Sequence, residues 1–319
     1  MQELLKIKEQ LEKAKNVLIV THNDPDPDAL ASSCIIIDLL ESMNKNYLAY
    51  CYSRAPESYL FLPHVEKIRY DRDWDFSKFD TIVSLDCGSI GRTCLDEEIK
   101  NRRPDQTYIE IDHHPKIDDY ADIEVRDPAA AATTEILYSF LKINNILINE
   151  KTANCILAGI IADTGNFIYP STSRATITIA SEMLSCGARL PQIVDQTWRN
   201  KSLASMKLWG LAMSRLQINF NTNIAWTVLT LEDYKRFGAN DNDIEGVAGF
   251  MGNLPNVKAV MMLRESEPGV IKGSLRTSHP DVDVSKLARM FGGGGHEKAS
   301  GFGIKGSLKF VNNRWKIVN

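Results

Sequence analysis

Four stretches in the N-terminal part of this sequence deliver acids and imidazoles in patterns suited to holding metal ions. His22 opens the run His-Asn-Asp-Pro-Asp-Pro-Asp, which sets Asp26 and Asp28 on alternate residues. Asp86 follows the apolar run Thr81–Leu85, and the consecutive Asp112, His113 and His114 follow Tyr108–Ile111. Asp163 comes directly after a helix-like segment, in Asp-Thr-Gly-Asn. An Asp after a strand is often a turn former or a helix cap, so no single stretch is decisive. Four together, one of them Asp-His-His, point to a metal site.

Mixed carboxylate and imidazole donors suit Mn²⁺, Fe²⁺, Co²⁺ or Zn²⁺ better than Ca²⁺ or Mg²⁺, which prefer all-oxygen shells. Asp26 and Asp28 can serve two adjacent ions, with the strand-end Asp86 as a bridge between them. Two ions roughly 3.5–4 Å apart are the usual clamp for in-line attack at phosphorus. The four carboxylates Asp26, Asp28, Asp86 and Asp163 neutralise two divalent ions. A hydroxide and a phosphate then leave the site anionic, so further cationic groups must come from elsewhere in the chain.

The C-terminal part supplies them. Lys272-Gly-Ser274-Leu-Arg276 ends a strand-like run. The segment from Phe291, through Gly293, Gly294 and Gly295 to His296 and Gly301, reads as a glycine loop feeding a helix. Backbone N–H groups of such a loop would form an anion cradle at the helix N-terminus. Arg92, six residues after Asp86, and Arg264 are weaker phosphate-binding candidates. His64 and His279 read as structural or solvent-facing, and Trp198 and Trp209 as packing residues.

These residues need elements to position them. Val17–Thr21, Tyr47–Tyr52, Thr81–Leu85 and Tyr108–Ile111 read as short buried strands. Helical stretches are expected at Ala29–Met43, Thr133–Ile143, Lys151–Ala162 after Asn149, and Ser173–Cys186 before Gly187. Continuous apolar strands alternating with helices predict an α/β fold, a mostly parallel sheet with helices on both faces. Ligands in such sheets sit beyond the carboxyl ends of the strands, where the acids and imidazoles fall. Leu190–Leu216 reads as a helical connector with a break at Asn200-Lys201. Beyond it lie strands at Ile224–Leu229, Val257–Leu263 and Val270–Arg276, a helix at Asp243–Met251 and a turn at Gly292–Gly295. The expected division is a catalytic domain over 1–188, a connector over 189–216 and a smaller α/β domain over 217–319, with the active site in the cleft between the two domains.

The chain has 319 residues, 44% apolar and 24% charged, with a net charge of −4. That composition supports a sizeable core and argues against disorder. Proteins that track long nucleic acid usually carry a strongly basic surface, so a nucleic-acid substrate here is expected to be short or a nucleotide. The six cysteines form no Cys-x-x-Cys pair or zinc-finger spacing, which implies reduced thiols in a reducing compartment. The first residues, MQELLKIKEQLEKAK, read as an amphipathic helix rather than a signal peptide. No run approaches the ~18 apolar residues of a membrane helix, so a cytoplasmic protein without a membrane partner is expected. Oligomeric state is left open, a homodimer included.

Taken together, the motifs resemble the DHH phosphoesterase superfamily, named for the triplet present here as Asp112-His113-His114. His22 to Ala29 resembles its first motif, Leu85-Asp86-Cys-Gly its second and Ala162-Asp163-Thr-Gly its fourth. KGSLR (Lys272–Arg276) and GGGGHEKASGF (Gly292–Phe302) resemble the C-terminal domain associated with that family. The resemblance implies one ion on His22, Asp26 and Asp86, and a second on Asp28, Asp86, His113 and Asp163. It implies that His114 faces the substrate phosphate and that Asp112 supports the histidines. Pro27 departs from the Gly common between the two aspartates, and is expected to affect loop shape only.

The two-domain layout is most similar to the bacterial oligoribonuclease and pAp phosphatase branch. In that branch Arg276 and His296 would hold a substrate phosphate, assisted by Ser274 and the glycine-loop amides, with two divalent cations, Mn²⁺ foremost. Short single-stranded RNA or nucleotides are the substrates so implied. A phosphodiesterase for cyclic di-AMP or pApA is the alternative within the same machinery. A pyrophosphatase or polyphosphatase, and a nucleotide-binding protein without turnover, are less favoured.

Overall fold

The computed structural model describes residues 2–199 and 201–318, and these ranges form two compact units. The first unit opens with α1 (Gln2–Lys13), which buries Leu4, Ile7 and Leu11 at helical spacing. There follow β1 (Asn16–Thr21), α2 (Pro27–Ser42), β2 (Asn46–Tyr50), β3 (Ile68–Arg69), β4 (Thr81–Leu85), α3 (Asp96–Lys100), β5 (Thr107–Asp112) and β6 (Ile123–Arg126). Then come α4 (Thr133–Ile143), α5 (Glu150–Asp163), α6 (Arg174–Ser185) and α7 (Leu190–Val194), which runs into a turn of π-helix over Asp195–Arg199.

All six strands are parallel, in the order β3-β2-β1-β4-β5-β6. Each strand presents alternate residues to opposite faces. Val17, Ile19, Val83, Leu85, Ile109 and Ile111 join the core formed with α2, α4 and α5. Leu18, Val20, Ile82 and Tyr108 join a smaller core with Phe79, Ile90, Leu95 and Ile99. Both faces are therefore covered, and the strands read as unbroken apolar runs because neither face meets water.

Several boundaries differ from the sequence expectation, and two differences matter for the site. Helix α2 begins at Pro27 rather than Ala29, because Asp26 caps it and proline at the first helical position forfeits no hydrogen bond. Pro27 is thus a helix-starting residue, not a loop residue. Helix α5 runs one residue further than expected at its end, so Asp163 is its last residue.

The second unit starts with α8 (Leu203–Ser214). It continues through β7 (Gln217–Asn219), β8 (Ile224–Leu229), α9 (Leu231–Phe237), α10 (Val247–Met251), β9 (Ala259–Glu267), β10 (Val270–Arg276), α11 (Val284–Met290), β11 (Gly294–Gly295), β12 (Ala299–Lys305), β13 (Ser307–Val311) and β14 (Arg314–Val318). Its main sheet has the order β11-β12-β10-β9-β8-β7, with only β8 and β9 parallel, and β13-β14 form a separate hairpin. The helical connector expected over Leu190–Leu216 is interrupted between Arg199 and Leu203, around the expected break; Asn200 itself lies outside the described residues. The expected helix Asp243–Met251 is split, because Gly246 at φ 90° separates a 3-10 turn from α10.

The glycine loop does not feed a helix. The helix α11 precedes it, and β12 follows it. Gly292 at φ 75° and Gly295 at φ 126° reverse the chain, and the glycine-rich segment beyond pairs with β10 as a strand. A side chain at Gly293 would sit 2.1 Å from the Gly301 carbonyl oxygen, so this close backbone crossing requires glycine.

Candidate metal centre

The strand order of the parallel sheet reverses between β1 and β4, and such a reversal opens a crevice at the carboxyl ends of the strands. His22 follows β1, Asp86 follows β4, and Asp112 ends β5. The fold thus gathers at one edge three of the stretches singled out from the sequence, and α2 and α5 bring the others.

His22 is 2% exposed. Its Nδ1 lies 2.7 Å from the Asn23 carbonyl oxygen, which accepts only from a protonated nitrogen. Its Nε2 is buried without a hydrogen-bond partner. That atom lies 3.8 Å from Asp26 Oδ2 and 3.8 Å from Asp86 Oδ2. Asp26 is held in place as the α2 cap, its Oδ1 accepting from the Ala29 N–H at 3.0 Å. Donors about 2.1 Å from a shared ion lie roughly 3–3.5 Å apart, so these spacings fit a metal after slight closure. Burial opposes a charge on His22, yet Asp26 and Asp86 raise its pKa, so a buried, unpartnered nitrogen faces two carboxylates in the arrangement of a metal ligand.

A second set faces the other oxygen of Asp86. His113 Nε2 lies 3.5 Å from Asp86 Oδ1 and 3.2 Å from Asp163 Oδ2. Asp28, His113 and Asp163 each bring a ligand atom within 4.8 Å of the others. Asp28 is fully buried, and the start of α4 holds it. The Thr133 N–H donates to Oδ2 at 2.6 Å, while the Thr134 N–H and hydroxyl donate to Oδ1 at 3.1 and 2.8 Å. Thr133 Oγ1 donates to Asp86 Oδ1 at 2.9 Å, so one pair of threonines orients both acids. Asp28 Oδ1 accepts two bonds and Oδ2 only one, so Oδ2 keeps a lone pair and this anchoring does not forbid coordination.

Asp86 itself adopts φ 59°, a left-handed conformation that costs a non-glycine residue on the order of 1 kcal/mol or more. Next in the turn, Gly88 at φ 70° donates its N–H to Asp112 Oδ2 at 2.5 Å. Asp112 Oδ1 accepts from the His114 backbone N–H at 2.7 Å and lies 2.8 Å from His114 Nδ1. Asp112 is therefore a support for His114, and the pair stands beside the cluster, with His114 Nδ1 3.4 Å from Asp86 Oδ1. Arg126 braces this turn from behind, bonding the His114 carbonyl at 2.7 Å and pairing with Glu110 at 2.7 Å. Arg92 and the His114 ring flank Gly88, each 3.5 Å from the point where a Cβ would project.

The charges respond to this crowding. Burial and then the Asp86 and Asp163 charges push the Asp28 carboxyl well above its ordinary range. Burial likewise lifts Asp163 to about 6, against the pull of His113. Burial works against a charge on His113, but Asp163, Asp86 and Asp28 override it and raise its pKa well above the usual value. Burial also opposes the His114 charge, and Asp112 and Asp86 nonetheless lift it to about 9. The field of these carboxylates favours positive charge at their centre.

In the second unit, β10 places Lys272, Ser274 and Arg276 on one face and buries Ile271, Gly273 and Leu275 on the other. Arg264 donates to Ser274 Oγ at 3.2 Å and grips Asp241 at 2.7 and 3.1 Å, an acid that sequence reasoning did not single out. In the glycine turn, the N–H groups of Gly292, Gly293 and His296 bond Arg289, Ala288 and Ala299 carbonyls. Gly294 and Gly295 pair with β12. The backbone amides of the turn are thus committed to the end of α11 and to β12 rather than to an open cradle. His64 is buried and bonds Asp38 at 3.0 Å, His279 is exposed, and Trp198 and Trp209 pack against the cores.

Sequence reasoning missed Thr133, Thr134, Gly159 and Arg126. Gly159 faces Asp28 from α5: a Cβ there would lie 2.3 Å from Asp28 Oδ1. A glycine inside an otherwise helical apolar run was its one available signal. The adjacent threonines open a helix that the sequence predicts, but nothing in the sequence linked them to Asp28.

Comparison with known proteins agrees with this geometry. Residues 16–160 match the model of the DHH family N-terminal domain, and residues 221–314 match the DHHA1 domain. The chain is 26% identical to the bifunctional oligoribonuclease and PAP phosphatase NrnA of Bacillus subtilis, over 90% of this chain and 89% of that one. It is 28% identical to the protein of the same name from Thermus thermophilus, over 91% of this chain and 84% of that one. An exopolyphosphatase-related protein from Bacteroides fragilis superposes with a TM-score of 0.85 at 29% identity, covering 94% of this chain and 90% of that one. With the sheet and the Asp/His edge in agreement with both matches, the chain carries a DHH domain followed by a DHHA1 domain.

Proposed function

We propose that this protein is a two-metal phosphoesterase that hydrolyses short oligoribonucleotides to mononucleotides and removes phosphate from pAp. One observation carries the reading: Asp86 turns its two carboxylate oxygens toward two different Asp/His sets. In this assignment His22, Asp26 and Asp86 hold one ion, and Asp28, Asp86, His113 and Asp163 hold the other, Mn²⁺ being the proposed metal. Two such ions, when bound, supply Lewis acidity at phosphorus and a nucleophilic hydroxide near neutral pH.

The chain's own residues do the rest. His114, kept cationic by Asp112, donates to a phosphoryl oxygen and stabilises the charge that develops there. Arg92, beside His114, adds a second positive group. In the DHHA1 domain Arg276 and His296 are the proposed phosphate contacts, with Ser274 and the turn Gly293–Gly295 shaping their surroundings. Residues 1–188 act as the catalytic part, 189–216 as the connector and 217–319 as the substrate-binding part. The names of the NrnA relatives support the choice of oligoribonucleotides and pAp. Six unbridged cysteines fit a reducing, cytoplasmic setting.

The test is a substrate panel with Mn²⁺: pAp, a dinucleotide, a longer single strand, pApA, cyclic di-AMP and pyrophosphate. Release of phosphate from pAp and of mononucleotides from the dinucleotide is expected to dominate. Metal uptake without hydrolysis of any phosphate ester would overturn the reading, and preference for cyclic di-AMP or pApA would redirect its substrate.

A further inference from the structure

The second unit contains a cavity of about 510 Å³ lined by Gln217, Asn219, Phe220, Trp226, Arg314 and Trp315 among others. It lies beside β7, the edge strand at the opposite end of the sheet from the glycine turn and β11. None of its lining residues belongs to the site described above. Its chemistry is specific: three aromatic rings, side-chain amides that both donate and accept, one cation and no carboxylate.

Phe220 is 88% exposed and lines this cavity together with Trp226 and Trp315, so three aromatic rings share one surface. Trp315 is fixed in place, with the Arg215 guanidinium 5.0 Å from its ring centre and Phe310 at 5.3 Å. Asp233 in turn pins Arg215 through two bonds, one of 2.8 Å. Arg314 is exposed and has no ion-pair partner among the described residues. Local charge points the same way. The β13-β14 hairpin that carries Arg314 and Trp315 also bears Lys309 and Lys316 and holds no acid, in a chain of net charge −4.

Aromatic platforms interleaved with cations are how proteins hold single strands, since every base has a stacking face and every link carries a negative phosphate. We propose that this cavity binds a nucleotide unit of single-stranded RNA, its base against Phe220 and Trp315 and its phosphate on Arg314. Gln217 and Asn219 offer amide groups to the base edge. This second site rests on the oligoribonucleotide reading of the enzyme, and it would favour strands long enough to occupy it over pAp.

The test uses the full chain with chelator, so that strands are bound without being cut. Anisotropy of a labelled trinucleotide and of a longer oligoadenylate, and equilibrium dialysis of AMP, are compared for wild type, Phe220→Ser and Arg314→Gln. Both altered side chains are exposed, so folding is preserved, which pAp turnover with Mn²⁺ verifies. Each variant is expected to weaken the longer strand roughly tenfold, with pAp turnover unchanged. Losses confined to the strand identify the ligand as RNA, and equal losses for AMP identify a free nucleotide filling the same pocket. Unchanged affinity in both variants overturns the proposal. So does a concentration-dependent dimer that Phe220→Ser abolishes without any change in RNA binding, which would assign the face to a second copy of the chain. If wild type binds the strand through this pocket but hydrolyses nothing, the enzymatic reading fails and the pocket stands.

Discussion

Replacing Gly159 by alanine separates the stability of the fold from the working of the site. The added methyl would lie 2.3 Å from Asp28 Oδ1, 2.4 Å from Thr134 Oγ1 and 2.7 Å from Thr134 Cγ2. Ordinary contact needs at least about 3.3 Å, so Asp28 or the start of α4 must retreat by roughly 1 Å. Overpacking of this kind costs about 1–3 kcal/mol. Alanine in place of glycine within a helix returns about 1 kcal/mol, so metal-free unfolding should show a net loss of only ~0–2 kcal/mol. The site should suffer more. Displacing a residue that aims a metal ligand typically lowers metal affinity about 10–100-fold, and a 1 Å misplacement of reacting groups costs on the order of 100-fold in rate. Calorimetric titration with Mn²⁺, thermal unfolding in chelator and phosphate release from pAp measure the three quantities. Gly210→Ala is the control: it is a helical glycine with open space around the added methyl, and should stabilise by up to about 1 kcal/mol without touching metal binding. Wild-type affinity and turnover in Gly159→Ala would refute the claim that α5 fixes Asp28 by close approach.

Asp86→Asn is expected to abolish turnover while leaving the metal-free fold at least as stable as wild type. Asparagine tolerates the left-handed backbone, still accepts from Thr133 and removes one of several crowded charges; retained activity would sink the bridging role. Mn²⁺ should raise the melting temperature of wild type in a concentration-dependent way, by the equivalent of ~2.7 kcal/mol at a hundredfold excess over Kd. His22→Ala should show a clearly smaller rise, and an equal rise would remove His22 from the ligand set. Away from the site, Asp38 joins α2 to the start of α5 by accepting from Asn149 at 2.7 Å and Thr152 at 2.9 Å. Burial opposes its charge, but these bonds and His64 hold its pKa below the ordinary value. A depressed folded pKa means stability that is present above the unfolded value, about 3.9, and is lost as pH falls through the folded one. Asp38→Asn should therefore cost about 1–2 kcal/mol at neutral pH, with the gap to wild type closing in acid. A gap independent of pH in chemical denaturation would count against the charged bonds.

The proposed ligands were legible because each is written beside the element that carries it. A buried parallel strand is a continuous apolar run, and the first acid after it marks the strand's carboxyl end, as at Asp86 after Leu85. The residues that aim those ligands were not legible, because their partners are remote in sequence. Thr134 and Asp28 are 106 positions apart, and only the packing of α4 against α2 joins them. Arg126 sits on an unremarkable strand, and its role appears only when β6 lies beside β5. The glycine turn misled for a local reason. Glycines before a mixed polar stretch look alike whether a helix or a strand follows, and the antiparallel pairing of β12 with β10 decided it.

The left-handed conformation of Asp86 explains why the site sits where it does. A strand-end residue in extended conformation would continue along β4, carrying its carboxylate away from the reversal between β1 and β4. At φ 59° the chain turns instead, with the Asp86 N–H still bonded to Ile111 at 3.1 Å as though the sheet continued. The carboxylate is thereby directed back across the edge, one oxygen toward His22 beyond β1 and the other toward His113 beyond β5. Glycine would adopt this backbone without strain but offers no ligand, and a β-branched residue would be excluded from it. The local cost is offset by the packing of the parallel strands on both sides, which leaves the turn no other path. The same rigidity that makes the sheet a sound core therefore makes its edge a precise holder for acids that repel one another at this spacing and that a positive charge between them would draw together.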